Sequence, residues 1–144
     1  MGNLPGRPLR ASNAHLERVY LTRPNPPFPP SLEGKGGAGG IGPDLMVTEN
    51  GVPAPDGLDF DGRVRDERRI RYLKNHIAQV QRAISDGVPV KGYFHWSLMD
   101  NFEWALGYGQ RFGLVYVDFE TQKRTIKDSG KWFADVIREN GFEL

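Results

Sequence analysis

The stretch VPVKGYFHWSL, residues 88–98, decides the fold. Alternate positions place Val90, Gly92, Phe94 and Trp96 on one side of a strand and Lys91, Tyr93 and His95 on the other. Both sides are largely apolar, which predicts a strand covered on both faces, as in a parallel sheet between helices. The residues before it are of the matching kind. Ile70, Leu73, Ile77, Val80 and Ile84 recur at steps of three and four, the stripe of an amphipathic helix with Asp66 as N-cap and Gly87 as its stop. Arg68, Arg69, Arg71 and Lys74 fall mostly off that stripe and are expected to solvate its outer face. Further upstream, LMVT (45–48) reads as a short strand running into the turn ENG (49–51), followed by the loop GVPAPDGLDFDGRV (51–64).

Downstream, residues 99–111 read as a loop and FGLVYVDFETQKRTI (112–126) as a hairpin turning near Glu120 to Gln122. KDSGKWFADVIREN (127–140) is expected to be a helix. It would be capped by Asp128 or Ser129, turn Trp132, Phe133, Val136 and Ile137 inward, and end before Gly141. Strand, helix, strand, helix makes two βα units and an α/β fold with parallel neighbours.

The first 44 residues are a different text. Of 18 glycines and 11 prolines, 16 lie there, and the stretch has no hydrophobic period. It is expected to be disordered or irregular, except that ASNAHLERVYL (11–21) would suit a short helix. The abrupt change near Asp44 resembles GC-rich DNA translated out of frame and joined to the true frame. Over the whole chain, 19 Lys+Arg against 18 Asp+Glu give no basic field for nucleic acid. Without cysteine there is neither a disulfide nor a thiolate metal site, and three scattered histidines lack metal-ligand spacing. No cofactor is implied. The start shows no signal-peptide core, Gly6 breaks the myristoylation pattern, and no apolar run is of membrane-spanning length. A cytoplasmic setting is the default expectation.

In βα architectures ligands gather at the carboxyl ends of strands. Two loops qualify: one opening with Glu49, the other following Trp96 and carrying Asp100, Asn101, Glu103 and Trp104. With adjacent strands, both face one pocket. Aromatic faces beside carboxylates and an amide suit a sugar, whose ring has apolar C–H faces and a hydroxyl rim. Each residue also has a plainer role. From spacing alone Glu49 more often ends a strand than does chemistry, Trp96 and Trp104 equally anchor a core, Asp100 caps a local turn, and His95 fits a wall or core. Glu103, between Phe102 and Trp104, is costly there unless hydrogen-bonded or bound to a ligand.

TENG (48–51), DGRVRDERRIRYLKNHI (61–77), DGVPVKGYFHWSLMDNFEWALGYGQRFGLVYVDF (86–119) and RTIKDSGKWF (124–133) together resemble the C-terminal portion of family 1 glycoside hydrolases, over about residues 45–142. These are β-glucosidases and β-galactosidases on a (β/α)8 barrel. The resemblance implies that Glu49 is the catalytic nucleophile and Trp96 the platform under the sugar. It also implies that Glu103 and Trp104 bind outer hydroxyls and that Phe112 lines the same subsite. Glutamate at position 103 favours unphosphorylated β-glucosides.

The resemblance also implies departures. The family's acid/base glutamate sits in an Asn-Glu-Pro motif upstream of TENG, and residues 1–44 hold no counterpart. Two βα units of eight leave strand edges and apolar surface open, so the chain alone is expected to be inactive and prone to aggregate. Two other readings stand beside the glycosidase: a non-catalytic sugar-binding remnant, and a subunit completing a barrel with copies of itself or with a separate upstream part.

Overall fold

The computed structural model describes residues 18–20, as main chain, and 43–144. The elements run β1 (Arg18–Tyr20), β2 (Leu45–Asn50), α1 (Glu67–Ser85), β3 (Val90–His95), a 3₁₀ turn (Trp104–Leu106), β4 (Val115–Val117), β5 (Arg124–Ile126), α2 (Asp128–Glu139) and β6 (Gly141–Glu143). The fold is α/β. β2 and β3 are parallel neighbours, with Leu45 opposite Val90, Val47 opposite Tyr93 and Asn50 opposite His95. β4 and β5 form the expected antiparallel hairpin, whose turn is gathered on Asp118 by Thr121 Oγ1–H (2.7 Å) and Glu120 N–H (3.1 Å). β1 pairs antiparallel with β6. Three of the residues expected in a short helix over 11–21 are therefore extended. The rest of that segment, and most of the head expected to be irregular, lies outside the described residues.

α1 buries Leu73 and Ile77 against Leu114, Val136 and Phe142, with Tyr93, Trp132 and Phe133 packed around them. The two helices cover the side of β3 that carries Tyr93. The opposite side is open: Met46 lies across Gly92, and Phe94 beside it is 56% exposed. Among the described residues, then, only one of the two faces expected to be covered has its layer. Ile137, expected inward on α2, is 63% exposed on the rim of the apolar groove between α1, β3 and α2. No helix among the described residues is long and apolar enough to cross a membrane.

Three local expectations change for one physical reason. Arg69, assigned to the solvated face, is 0% exposed. Its Nη1 reaches Asp66 and Asp56 (2.7 Å to the latter), and its Nη2 donates to the Arg111 carbonyl at 2.7 Å. Asp66 does occupy the N-cap position of α1 but makes no side-chain cap; its carboxylate instead accepts from Ser129 N–H (2.8 Å) and Ser129 Oγ–H at the start of α2. Helix α2 is likewise uncapped by Asp128 or Ser129, because Lys127 holds the N-cap position and Ser129 is committed to Asp66. Charges buried between elements outbid local capping, since a buried ion left unpaired costs far more than a lost cap.

Candidate active site

β2 runs on through Glu49 and Asn50, so Glu49 belongs to the strand rather than opening the loop after it. Its side chain is exposed. Asn50 beside it is held from three directions. Its carbonyl accepts Trp96 N–H at 3.0 Å, its Oδ1 accepts Tyr93 Oη–H at 2.8 Å, and its Nδ2 donates to Tyr72 Oη at 3.1 Å. Burial pushes the Tyr93 phenol well above its ordinary value, so it stays a donor. The strand end bearing Glu49 is therefore fixed to the main chain of Trp96, the first residue of the second loop.

The backbone packs tightly just after Asn50. A Cβ on Gly51 would stand 1.9 Å from the Trp96 carbonyl oxygen, which no side chain tolerates without backbone movement. Gly51→Ala is thus expected to destabilise the chain by about 1–3 kcal/mol through overpacking. Gly57→Ala, with open space around its Cβ, should be close to neutral. Urea unfolding midpoints of the two variants check this.

The second loop starts with a cis peptide between Trp96 and Ser97. Residues 97–100 are strapped to the following segment: Ser97 N–H donates to the Phe112 carbonyl (3.3 Å), Leu114 N–H to the Ser97 carbonyl (3.0 Å) and Asp100 N–H to the Val115 carbonyl (3.0 Å). The Asp100 carboxylate is buried and takes Gly113 N–H (3.0 Å), Arg111 Nη1 (2.7 Å) and Lys127 Nζ (2.8 Å). The structural role expected of Asp100 holds, but as an ionic anchor rather than a turn cap. Beyond it the loop returns, and Trp96 Nε1–H donates to Glu103 Oε1 at 3.3 Å.

The predicted residues therefore divide. Trp96, 39% exposed, and Glu103 meet directly, and the backbone of Trp96 touches the strand of Glu49. Trp104 adopts a positive φ of 48° and is 84% exposed. Phe112 contributes its carbonyl, which accepts from Ser97 N–H and from His95 Nε2 (3.2 Å). With Nε2 donating, His95 Nδ1 is left buried without a partner, and burial lowers the imidazole pKa. A cavity of about 470 Å³ beside the loop is lined by Trp96, Asp100, Asn101, Phe102 and Tyr108, and its lining does not include Glu49. The sequence reading missed Asn50, Asp56 and Lys127. Only the position of Asn50, next to a candidate carboxylate, offered any signal.

The family model described as glycosyl hydrolase family 1 matches residues 41–142. That match begins four residues ahead of the expected start at 45. β-Glucosidase A of Thermotoga maritima is 58% identical over 101 residues, covering 70% of this chain and 23% of the relative. β-Glucosidase A of Acetivibrio thermocellus is 51% identical over 100 residues, covering 69% and 22% respectively. The solved family 1 β-glucosidase from Thermotoga maritima superposes with a TM-score of 0.70 at 58% identity, over 71% of this chain and 23% of that one. The same enzyme in complex with glucoimidazole gives 0.68, over 69% and 23%. The chain thus spans about a quarter of the length of these TIM-barrel relatives. A family match over well more than half of its residues, joined to identities above 50%, makes the chain a member of glycosyl hydrolase family 1.

Proposed function

We propose that residues 45–142 form the nucleophile-bearing C-terminal two βα units of a retaining β-glucosidase barrel. Glu49 attacks the anomeric carbon, Trp96 carries the sugar ring, and Glu103 with Trp104 takes its outer hydroxyls, Phe112 lining the subsite. One observation carries this reading. The Trp96 indole and the Glu103 carboxylate meet at 3.3 Å, on a loop whose first residue is hydrogen-bonded to the strand end of Glu49. An aromatic face, a hydroxyl acceptor and an exposed carboxylate at the ends of neighbouring parallel strands are what C–H stacking, rim recognition and nucleophilic attack require.

A retaining enzyme needs a second carboxyl group about 5–5.5 Å from the first, to protonate the departing oxygen and then activate water. The 144 residues hold no Asn-Glu-Pro segment to supply it. The purified chain is therefore expected to show no turnover of p-nitrophenyl β-D-glucoside above that of its Glu49→Gln variant. Hydrolysis at rates ordinary for the family would overturn the claim that an acid/base is missing. The substrate class, an unphosphorylated β-glucoside, rests on the carboxylate of Glu103, which would repel a sugar phosphate.

A further inference from the structure

Trp96 and Glu103 are both partly exposed, and a 3.3 Å hydrogen bond between them is too weak to hold a loop. The loop's firm attachment lies beneath. Lys127, 0% exposed and at the N-terminus of α2, places its Nζ between two carboxylates, Asp100 Oδ1 at 2.8 Å and Asp56 Oδ2. Asp100 lies midway along the loop from Trp96 to Glu103. Asp56 lies in the loop that leaves β2 six residues after Asn50, and its side chain is almost completely buried. One ammonium thus spans the loops that follow the two parallel strands.

The surroundings leave it little freedom. Arg69 also binds Asp56 at 2.7 Å and, with Ser129, holds Asp66, while Arg111 binds Asp100 at 2.7 Å. Three carboxylates thus meet three cations, and the cluster balances its own charge. Among the described residues, Lys127 is the member whose side chain pairs with acids from both loops; Arg111 pairs with Asp100 and takes Ala54 N–H on its carbonyl at 3.1 Å, and Arg69 pairs with Asp56 and Asp66.

We propose that Lys127 is a positioning residue, fixing the strand end that bears Glu49 relative to the loop that bears Trp96 and Glu103. It touches no substrate and acts through Asp56 and Asp100. The functional meaning rests on the glycosidase reading of Glu49, Trp96 and Glu103; the mechanical claim does not.

Hydrogen–deuterium exchange of the full chain at low micromolar concentration, without sugar, separates the two. Lys127→Met keeps the aliphatic stem and removes the charge. It should speed exchange about tenfold or more in peptides covering 50–58 and 96–106, through local opening, while peptides of α1 and α2 keep their rates. The decisive readout is reciprocal. Asp56→Asn should loosen 96–106, and Asp100→Asn should loosen 50–58, although each substitution lies in the other loop. Effects confined to each variant's own loop overturn the proposal, as does a uniform rise across both helices. A parent chain already unprotected in both loops overturns it too. Failure of the glycosidase reading would show only in the hydrolysis assay.

Discussion

Joined to the upstream part of Thermotoga maritima β-glucosidase A, residues 41–142 should yield a barrel whose activity collapses when Glu49 becomes glutamine. The amide has the shape of the carboxylate but no charge with which to attack C1. Loss of a covalent nucleophile is expected to lower kcat/KM on the order of 10⁴-fold or more. Glu103→Gln in the same barrel keeps one acceptor oxygen and loses charge-assisted hydrogen bonds to the sugar. The cost should be about 1.5–3 kcal/mol, roughly ten- to a hundredfold. Glu120→Gln, on the exposed β4–β5 turn, should leave the rate unchanged. Steady-state kinetics on p-nitrophenyl β-D-glucoside rank the three. A Glu49→Gln barrel within tenfold of its parent would remove Glu49 from the chemistry and with it the proposed mechanism.

Arg69→Met is the second large effect, and it concerns stability. The guanidinium is wholly buried, paired with Asp56 and Asp66 and bonded to the Arg111 carbonyl. Among the described residues, its removal leaves the Asp66 carboxylate with Ser129 and the Asp56 carboxylate with Lys127. Breaking a buried pair from one side costs about 3–5 kcal/mol, against a total stability on the order of 5–15 kcal/mol for a domain. The thermal midpoint, followed by circular dichroism, should fall by about 12 °C or more in the 144-residue chain, and by less in the much larger grafted barrel. Arg68→Met and Arg71→Met, on the exposed face of α1, should change stability by less than about 0.5 kcal/mol. If Arg69→Met unfolds like these two, the ion cluster contributes nothing and the fold rests on Leu73, Ile77 and Val136.

Much of the architecture is legible in the sequence. The stripe from Ile70 to Ile84 gave a helix, and Leu73 and Ile77 are its buried members. LMVT and VPVKGYFHWSL gave two strands that do pair in parallel. Residues 112–126 give a hairpin, and Trp96 and Glu103, both candidates from the sequence, meet through one hydrogen bond. These readings succeed because helical and strand periods are local. A side chain's direction repeats along a regular backbone, so burial on one face leaves a record in neighbouring residues. Where the pattern misled, as at Ile137, the residue lies on a groove rim where no second layer covers it among the described residues.

What the sequence determined on its own was the run from β2 to α2, the apolar stripe of α1 and the family; β1, β6 and the places of Arg69 and Ile137 it did not. Tertiary structure alone decided which charges go inside. Helical spacing does set Arg69 apart from Arg68 and Arg71, since it lies four residues before Leu73 on the buried face, but the acids that meet it are not written there, and Lys127 stands next to an ordinary helix start. Their roles depend on acids that arrive from elsewhere: Asp100 is 27 residues from Lys127, and Asp56 is 71. A buried charge is tolerable only where opposite charges and donors converge on it, and such convergence belongs to the packed chain, not to any window of residues.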